Sequence, residues 1–275
     1  MKHKVLDLFA GIGGFSLGLE ATGGFETTAF CELDKKAQLV LKKHWPAIPI
    51  YEDIKELTYE RLKADGNVPS VITGGFPCQD ISRTGKRQGI LADRSGLWSE
   101  MFRLIRDVRP TWAVIENVST LRSKGLTLVL QNLSEIGYVG QFHCIPASAV
   151  GGHQQRDRIW VVAHPTGECS QPLIRETLSR WKDSEASDTE PCCGSTRGDT
   201  LLSEVSDEER PHDILGIFHQ DFWAVEPNVG RMAHGIPKRV DRLKQLGNSV
   251  VPQIPYLLGC AILSTETLDA EEDNK

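Results

Sequence analysis

The sequence predicts an α/β fold: a mostly parallel sheet covered by helices on both faces, beside a small irregular region. Three observations carry that reading. Short apolar, β-prone runs alternate with helix-period stretches from residue 4 to residue 163, the order that gives parallel strands joined by crossover helices. The first run leads into the glycine turn Ala10-Gly11-Ile12-Gly13-Gly14, the opening of a βαβ unit. From Thr166 to Asn228 the periodicity fades into Ser, Thr, Glu, Asp, Pro and Gly, a composition with few core residues of its own.

Residues 4–9, Lys-Val-Leu-Asp-Leu-Phe, read as the first strand, and Phe15 to Glu20 as the start of a helix. Glu26 to Cys31 is a second strand and Lys35 to His44 a second helix. Further strands fit Val71-Ile72, Trp112 to Ile115 and Ile159 to Ala163. Beyond the irregular region, Arg239 to Leu246 is compatible with a helix, and Val250 to Leu263 is an apolar segment followed by the polar tail Glu266 to Lys275. That late segment is expected to pack back on the first domain. No internal repeat is visible.

Bulk properties narrow the function classes. At 275 residues and 40% hydrophobic content the chain can bury a substantial core. No apolar run is expected to approach the ~20 residues that cross a bilayer, and the opening Met1-Lys2-His3-Lys4 leads into a strand rather than a leader. A cytoplasmic protein with no membrane partner is the expectation. Seven scattered cysteines without a Cys-x-x-Cys pair argue against a disulfide framework and a zinc site, so no metal is expected. The net charge of -6 is misleading about partners, because residues 161–230 hold 14 acidic against 5 basic side chains. Affinity for a polyanion follows the local surface and not the total.

The chemistry-bearing residues cluster at predicted strand ends. Gly74-Gly75-Phe76-Pro77-Cys78-Gln79 puts one thiol on a tight turn directly after Val71-Ile72-Thr73. Open α/β sheets place ligands at the carboxyl ends of their strands, and an oriented thiolate there is a nucleophile candidate. The glycine turn after the first strand lets an adenosine-type ligand approach the main chain. Glu32 lies near the ~20-residue offset at which an acidic side chain reaches ribose hydroxyls. Asp53 falls on the next loop of the same edge, as a ligand for an adenine amino group or, equally, as a turn residue or helix cap. The segment from Gln79 to Gly89 is long, polar and basic, suiting a lid with phosphate contacts or a solvated surface loop. Glu116-Asn117 follows the strand Trp112 to Ile115, so a carboxyl group emerges at the same edge as Cys78. Arg156-Asp157-Arg158, preceded by Gln154-Gln155, points two guanidinium groups to one face of a strand start, or marks an exposed edge.

The ordered set Asp7 to Gly14, Gly75-Phe76-Pro77-Cys78-Gln79, Glu116-Asn117-Val118, Gln155-Arg156-Asp157-Arg158 and Gly247-Asn248-Ser249-Val250-Val251-Pro252 resembles the DNA cytosine-5 methyltransferase family of bacteria and phages. The likeness spans nearly the whole chain except residues 166–228. It implies a Rossmann-like, class I S-adenosylmethionine-dependent catalytic domain over residues 1–164. A small target-recognition region over 165–245 and a C-terminal segment, 246–275, would complete the chain. It also implies a catalytic set of Cys78, Gln79, Glu116, Arg156 and Arg158. The implied cofactor residues are Phe9, Gly11, Ile12, Gly14, Glu32, Asp53, Ile54, Pro77, Leu97, Asn248 and Ser249. Ser82, Arg83, Lys86 and Arg87 would meet DNA from a lid running from Gln79 to Leu97. By the resemblance the cofactor is S-adenosylmethionine, the partner is double-stranded DNA with the target base flipped out, and the protein acts as a monomer. Two departures stand out. Leu33 occupies the position of a larger adenine-stacking side chain, and the recognition region is short and acidic for a reader of base edges. An RNA cytosine-5 methyltransferase and a catalytically idle DNA-binding relative are the rival readings.

Overall fold

The computed structural model describes residues 1–77, 96–151, 156–167 and 245–272, those beyond 266 as backbone. β1 (His3–Leu8) is buried along most of its length and pairs in parallel with β2 (Phe25–Cys31) on one side and β4 (Val71–Gly75) on the other. A two-residue edge strand, β3 (Ile50–Tyr51), extends the sheet beyond β2. β5 (Trp112–Val118) continues it in parallel beyond β4. β7 (Asp157–Pro165) then pairs antiparallel with β5, and β6 (Tyr138–Pro146) antiparallel with β7. The seven-stranded order is β3-β2-β1-β4-β5-β7-β6. The direction of winding reverses between β1 and β4, and the crevice outside the carboxyl ends at such a point is where open α/β sheets bind ligands.

The described helices include α1 (Gly14–Glu20), α2 (Lys35–His44), α3 (Tyr59–Ala64), α4 (Leu97–Val108), α5 (Leu121–Lys124), α6 (Leu126–Glu135) and α7 (Gln253–Glu272), with a 3-10 helix over Ala147–Val150. They cover both faces because strand side chains alternate. On one face Leu6, Ile72, Ala113, Ile115 and Val161 meet Met101 and Leu104 of α4 and Val129 and Leu133 of α6. On the other, Val5, Val71, Val114, Trp160 and Val162 meet Phe15 and Leu19 of α1 and Ile254, Leu258 and Ile262 of α7. α4 is amphipathic by spacing, with Trp98, Met101, Leu104, Ile105 and Val108 buried. It ends at Arg109, whose left-handed φ of 56° closes the helix. Asp34 caps α2 by accepting from the Lys36 amide at 2.8 Å, and Lys42, Lys43 and His44 complement its carboxyl end.

Three expectations change. β1 runs from His3 to Leu8 rather than over residues 4–9, because Phe9 turns into the left-handed region at φ 54°. Glu116 and Asn117 do not follow β5 but lie within it, since pairing to β7 carries the strand on to Val118. The stretch Gln245–Glu266 is long and apolar enough by length and composition to cross a membrane, contrary to the expectation that no such run exists. Its apolar character is accounted for by packing, with Ile254, Leu258, Ala261 and Ile262 buried in the core. α1 lies so close that a Cβ on Gly18 would stand 2.1 Å from the Pro252 carbonyl oxygen. A partly buried bridge holds α7 farther along, where Glu266 accepts from Trp112 Nε1 at 2.9 Å and meets His3 Nε2 at 2.8 Å.

Asp7 is the most deeply buried carboxyl group beside this crevice. It accepts from Ser16 Oγ on α1 and Thr73 Oγ1 on β4, each at 3.0 Å, and so joins three elements. Burial pushes its pKa from 3.8 up to about 7, against the opposing pull of the Ser16 and Thr73 hydrogen bonds. With the folded-state value above the unfolded one, the native state holds the proton more tightly. Its stabilising contribution is full below the unfolded pKa and is lost as pH rises toward 7. The free energy of urea unfolding should therefore fall between about pH 4 and about pH 7. Asp7→Asn should flatten that fall, and an unchanged slope in the variant would exclude Asp7 as its source.

Candidate active site

The carboxyl ends of β1, β2, β4 and β5, together with the start of antiparallel β7, converge on one cavity of about 490 Å³. Its lining includes Phe9, Gly11, Ile12, Glu32, Asp53, Ile54, Pro77, Leu97, Glu116, Arg158 and Asn248, eleven positions singled out from sequence. Cys31, Leu33, Asp34, Ala37, Glu52, Gly75, Phe76, Asn117, Val118 and Gln245 are the other lining positions among the described residues. The volume falls in the range of small-molecule and cofactor sites.

At one end stands the turn after β1. Phe9 and Gly11 both take left-handed φ angles, 54° and 56°. For a bulky residue such as Phe9 that conformation costs roughly 1–2 kcal/mol and is kept where the surroundings impose it. A Cβ on Gly11 would meet nothing within 4 Å, so the main chain here is open to a ligand. Glu32 ties the turn to the next loop, with Oε2 accepting from the Gly11 amide at 2.6 Å and Oε1 from the Asp34 amide at 2.7 Å. Each oxygen keeps a second lone pair for a hydroxyl. Asp53 is a turn residue, with Oδ1 accepting from the Lys55 amide at 2.9 Å, and it also lines the cavity. Leu33 is 69% exposed at this wall, an apolar surface that a flat ligand would cover. The Cys31 thiol is pushed up to about 12, by burial first and then by Glu32 and Asp53, so it is an inert wall residue.

At the other end, Glu116 pairs with Trp160 across the sheet and Val118 with Arg158, which sets Arg158 diagonally beside Glu116 on one face. Arg158 Nε lies 2.9 Å from Glu116 Oε1. Burial raises the Glu116 pKa, while Arg158 and Arg156 pull it down. Gly75 stands opposite Glu116 on β4, and a Cβ there would come within 2.7 Å of Oε2. A side chain at this position would displace the carboxylate from its present place. Asn117, on the opposite face of β5, is buried and donates from Nδ2 to the Phe76 carbonyl at 2.9 Å. It fixes the exit of β4 just before Pro77, the residue preceding Cys78 in the chain. Sequence reading quoted Asn117 without a task for it, and the only signal was its place beside Glu116.

Three residues singled out from sequence serve the site from behind its wall. Arg156 donates to the Ser249 carbonyl at 2.7 Å and to the Leu246 carbonyl at 3.4 Å, holding the turn that carries Asn248. Ser249 Oγ donates to the Val250 carbonyl at 3.0 Å. Gly14 lets this turn approach α1, since a Cβ would stand 2.7 Å from the Val250 carbonyl oxygen. Cys78, Gln79, Ser82, Arg83, Lys86 and Arg87 lie outside the described residues, as do nearly all of 165–245 and of the helix expected over Arg239 to Leu246. Leu97, the expected end of the lid, is the first residue of α4, whose N-cap is Gly96, and residues 79–95 lie outside the described residues.

An acid-lined cleft thus stands at the winding reversal, with a glycine turn at one end and a partly buried Glu–Arg pair at the other. The chain belongs to the C-5 cytosine-specific DNA methylase family, whose model matches residues 3–217. Type II methyltransferase M2.BsuMI of Bacillus subtilis is 38% identical over 170 residues, covering 58% of this chain and 41% of that protein. Type II methyltransferase M.CviJI of Paramecium bursaria Chlorella virus IL3A is 33% identical over 235 residues, covering 81% and 61%. The chain thus spans less than two thirds of the length of either relative. A DNMT2 mutant from Spodoptera frugiperda shares the fold with a TM-score of 0.52 at 23% identity, over 61% of this chain and 51% of that one. The expected Rossmann-like, class I methyltransferase fold is therefore present.

The Glu116 carboxyl should titrate above the ordinary value of 4.5. In Arg158→Gln, which removes the nearest opposing charge, it should titrate higher still. Carbon-13 chemical shifts of glutamate-labelled protein followed against pH report both. A Glu116 titrating at or below 4.5 would contradict the burial argument.

Proposed function

We propose that this chain transfers a methyl group from S-adenosylmethionine to C5 of cytosine in a specific duplex DNA sequence, acting on a base turned out of the stack. The observation that carries the reading is the cavity running from Glu32 and Asp53 to the partly buried Glu116–Arg158 pair. Membership of the cytosine-5 methylase family supports the choice of acceptor.

The residues present fit the cofactor. Among the described residues, Glu32, Asp34, Glu52, Asp53 and Glu116 line the cavity against one cation, Arg158, a balance that suits a sulfonium. Glu32 would hold the ribose hydroxyls, and Asp53 and Ile54 the adenine. Phe9, Gly11, Ile12, Pro77, Leu97 and Asn248 would form the remaining walls, with Gly14 and Ser249 shaping them from behind. When bound, S-adenosylmethionine supplies an electrophilic methyl group to the carbon that the protein has made nucleophilic.

Cytosine C5 is too poor a nucleophile to take that methyl unaided. In this reading the Cys78 thiolate adds to C6, so that an Sγ–C6 bond forms and the C5–C6 π pair is delivered to C5. Glu116 donates a proton or strong hydrogen bond to N3, where negative charge develops, and its raised pKa suits a carboxyl that keeps a proton nearer neutrality. Arg158 holds the cytosine O2 and orients Glu116, while Gln79 and Arg156 support the catalytic turns. Loss of the C5 proton and elimination of Cys78 restore the aromatic ring. Ser82, Arg83, Lys86 and Arg87 would meet the backbone of the flipped nucleotide, and residues 165–245 are assigned to target recognition.

Labelled methyl from S-adenosylmethionine should enter unmethylated duplex DNA and appear as 5-methyldeoxycytidine on nucleoside analysis. Label confined to a parallel transfer RNA sample would overturn the DNA reading. Cys78→Ala should abolish transfer and leave cofactor affinity unchanged, and retained turnover would sink the covalent mechanism. Asp53→Ala should weaken S-adenosylmethionine binding by about tenfold or more in calorimetry. Unaltered affinity would remove Asp53 from the site.

A further inference from the structure

Asp53 and Ile54 sit on an irregular turn, residues 52–57, that belongs to neither a helix nor a strand. Ile54 and Leu57 are buried in the core, and buried carbonyl groups outside regular structure need donors from elsewhere. Arg103, in the middle of α4, supplies them. One terminal nitrogen donates to the Ile54 carbonyl and to the Leu57 carbonyl, both at 2.9 Å. Its Nε donates to Glu100 Oε2 at 2.8 Å, one turn earlier on the same helix. A guanidinium nitrogen carries two hydrogens in a fixed plane and can serve two carbonyls at once, with Nε left for a carboxylate. The arrangement is partly buried at both side chains, where hydrogen bonds from a charged donor are stronger than at an open surface.

From this geometry we infer that Arg103, braced by Glu100, is a positioning residue for the cofactor end of the cavity, setting the turn that carries Asp53 and Ile54. It lines no part of the cavity itself. The inference rests on the proposed cofactor reading. α4 begins at Leu97, itself in the cavity wall. The helix therefore presents one lining residue directly and holds two others through Arg103, so the wall is set as one unit.

Calorimetric titration of the full chain with S-adenosylmethionine tests this. Arg103→Ala should raise the dissociation constant by about tenfold, the scale of losing hydrogen bonds from a charged group. Glu100→Gln, which keeps the guanidinium and loosens its brace, should raise it by a smaller factor, and it carries the test if the alanine variant does not fold. The decisive readout is a double-mutant cycle with Asp53→Ala. If Arg103 acts through the turn, its removal should cost much less affinity when Asp53 is already gone. A general loss of stability would lower the melting temperature with no such coupling. Equal factors in both backgrounds, or unchanged affinity in both single variants, would overturn the inference while leaving the cofactor reading intact. No binding by the unaltered protein would sink both.

Discussion

A carboxyl group held inside a protein next to a guanidinium is tolerated only where geometry supplies the pairing and removes competing volume. The Glu116–Arg158 contact meets both conditions and sets much of the architecture around it. Arg158 reaches Glu116 because β7 runs antiparallel to β5, which brings the start of β7 to the edge where the parallel strands end. Glu116 finds room because its neighbour on β4 is Gly75. Asn117, pointing to the opposite face, then ties β5 to the exit of β4. One short stretch of strand thus holds the pair and the lead-in to Pro77.

The end of the cavity at Glu32 and Asp53 is built on a different principle, in which backbone turns are held by side chains from distant elements. Glu32 bridges the turn after β1 to the N-cap of α2, Arg156 grips the turn around Asn248, and Arg103 grips the turn after Asp53. Each uses a charged side chain to satisfy main-chain groups that no helix or strand satisfies. The crevice between β1 and β4 is framed by Asp7, which accepts from both α1 and β4 while buried among apolar strands. α7 completes that side by laying its apolar face over α1, at a distance that Gly18 makes possible.

Much of the fold was legible in the residues. The alternation of apolar runs and helix-period stretches located β1, β2, β4, β5, β7, α1 and α2, because those elements bury one face or both along nearly their whole length. β3 is two residues long, α3 and α5 are short, and β6 is only partly buried, so none leaves a strong period in the sequence. The apolar segment near the end looked shorter than its helix, since Gln253 and Thr265 interrupt the pattern while remaining buried. At the site, positions with both unusual composition and a place at a strand end were readable: the glycine turn, Glu32, Asp53, Glu116 and Arg158 all line the one cavity. Glu52, Asp34 and Gln245 line it too, without composition or spacing to mark them.

The sequence by itself determined the α/β class, the strand ends at which chemistry-bearing residues fall, and the family to which the chain belongs. These are local or ordered properties: period, turn composition and motif order survive in one dimension. Tertiary structure alone decided which charged side chains act as ligands to the main chain and which face the cavity. Arg103, Arg156 and Arg158 look alike as residues, yet one holds a turn 46 to 49 positions away, one a turn 90 to 93 away, and one a carboxyl group across the sheet. The reason is physical, because a guanidinium takes its task from whichever acceptors the packed strands and helices leave unsatisfied within its reach.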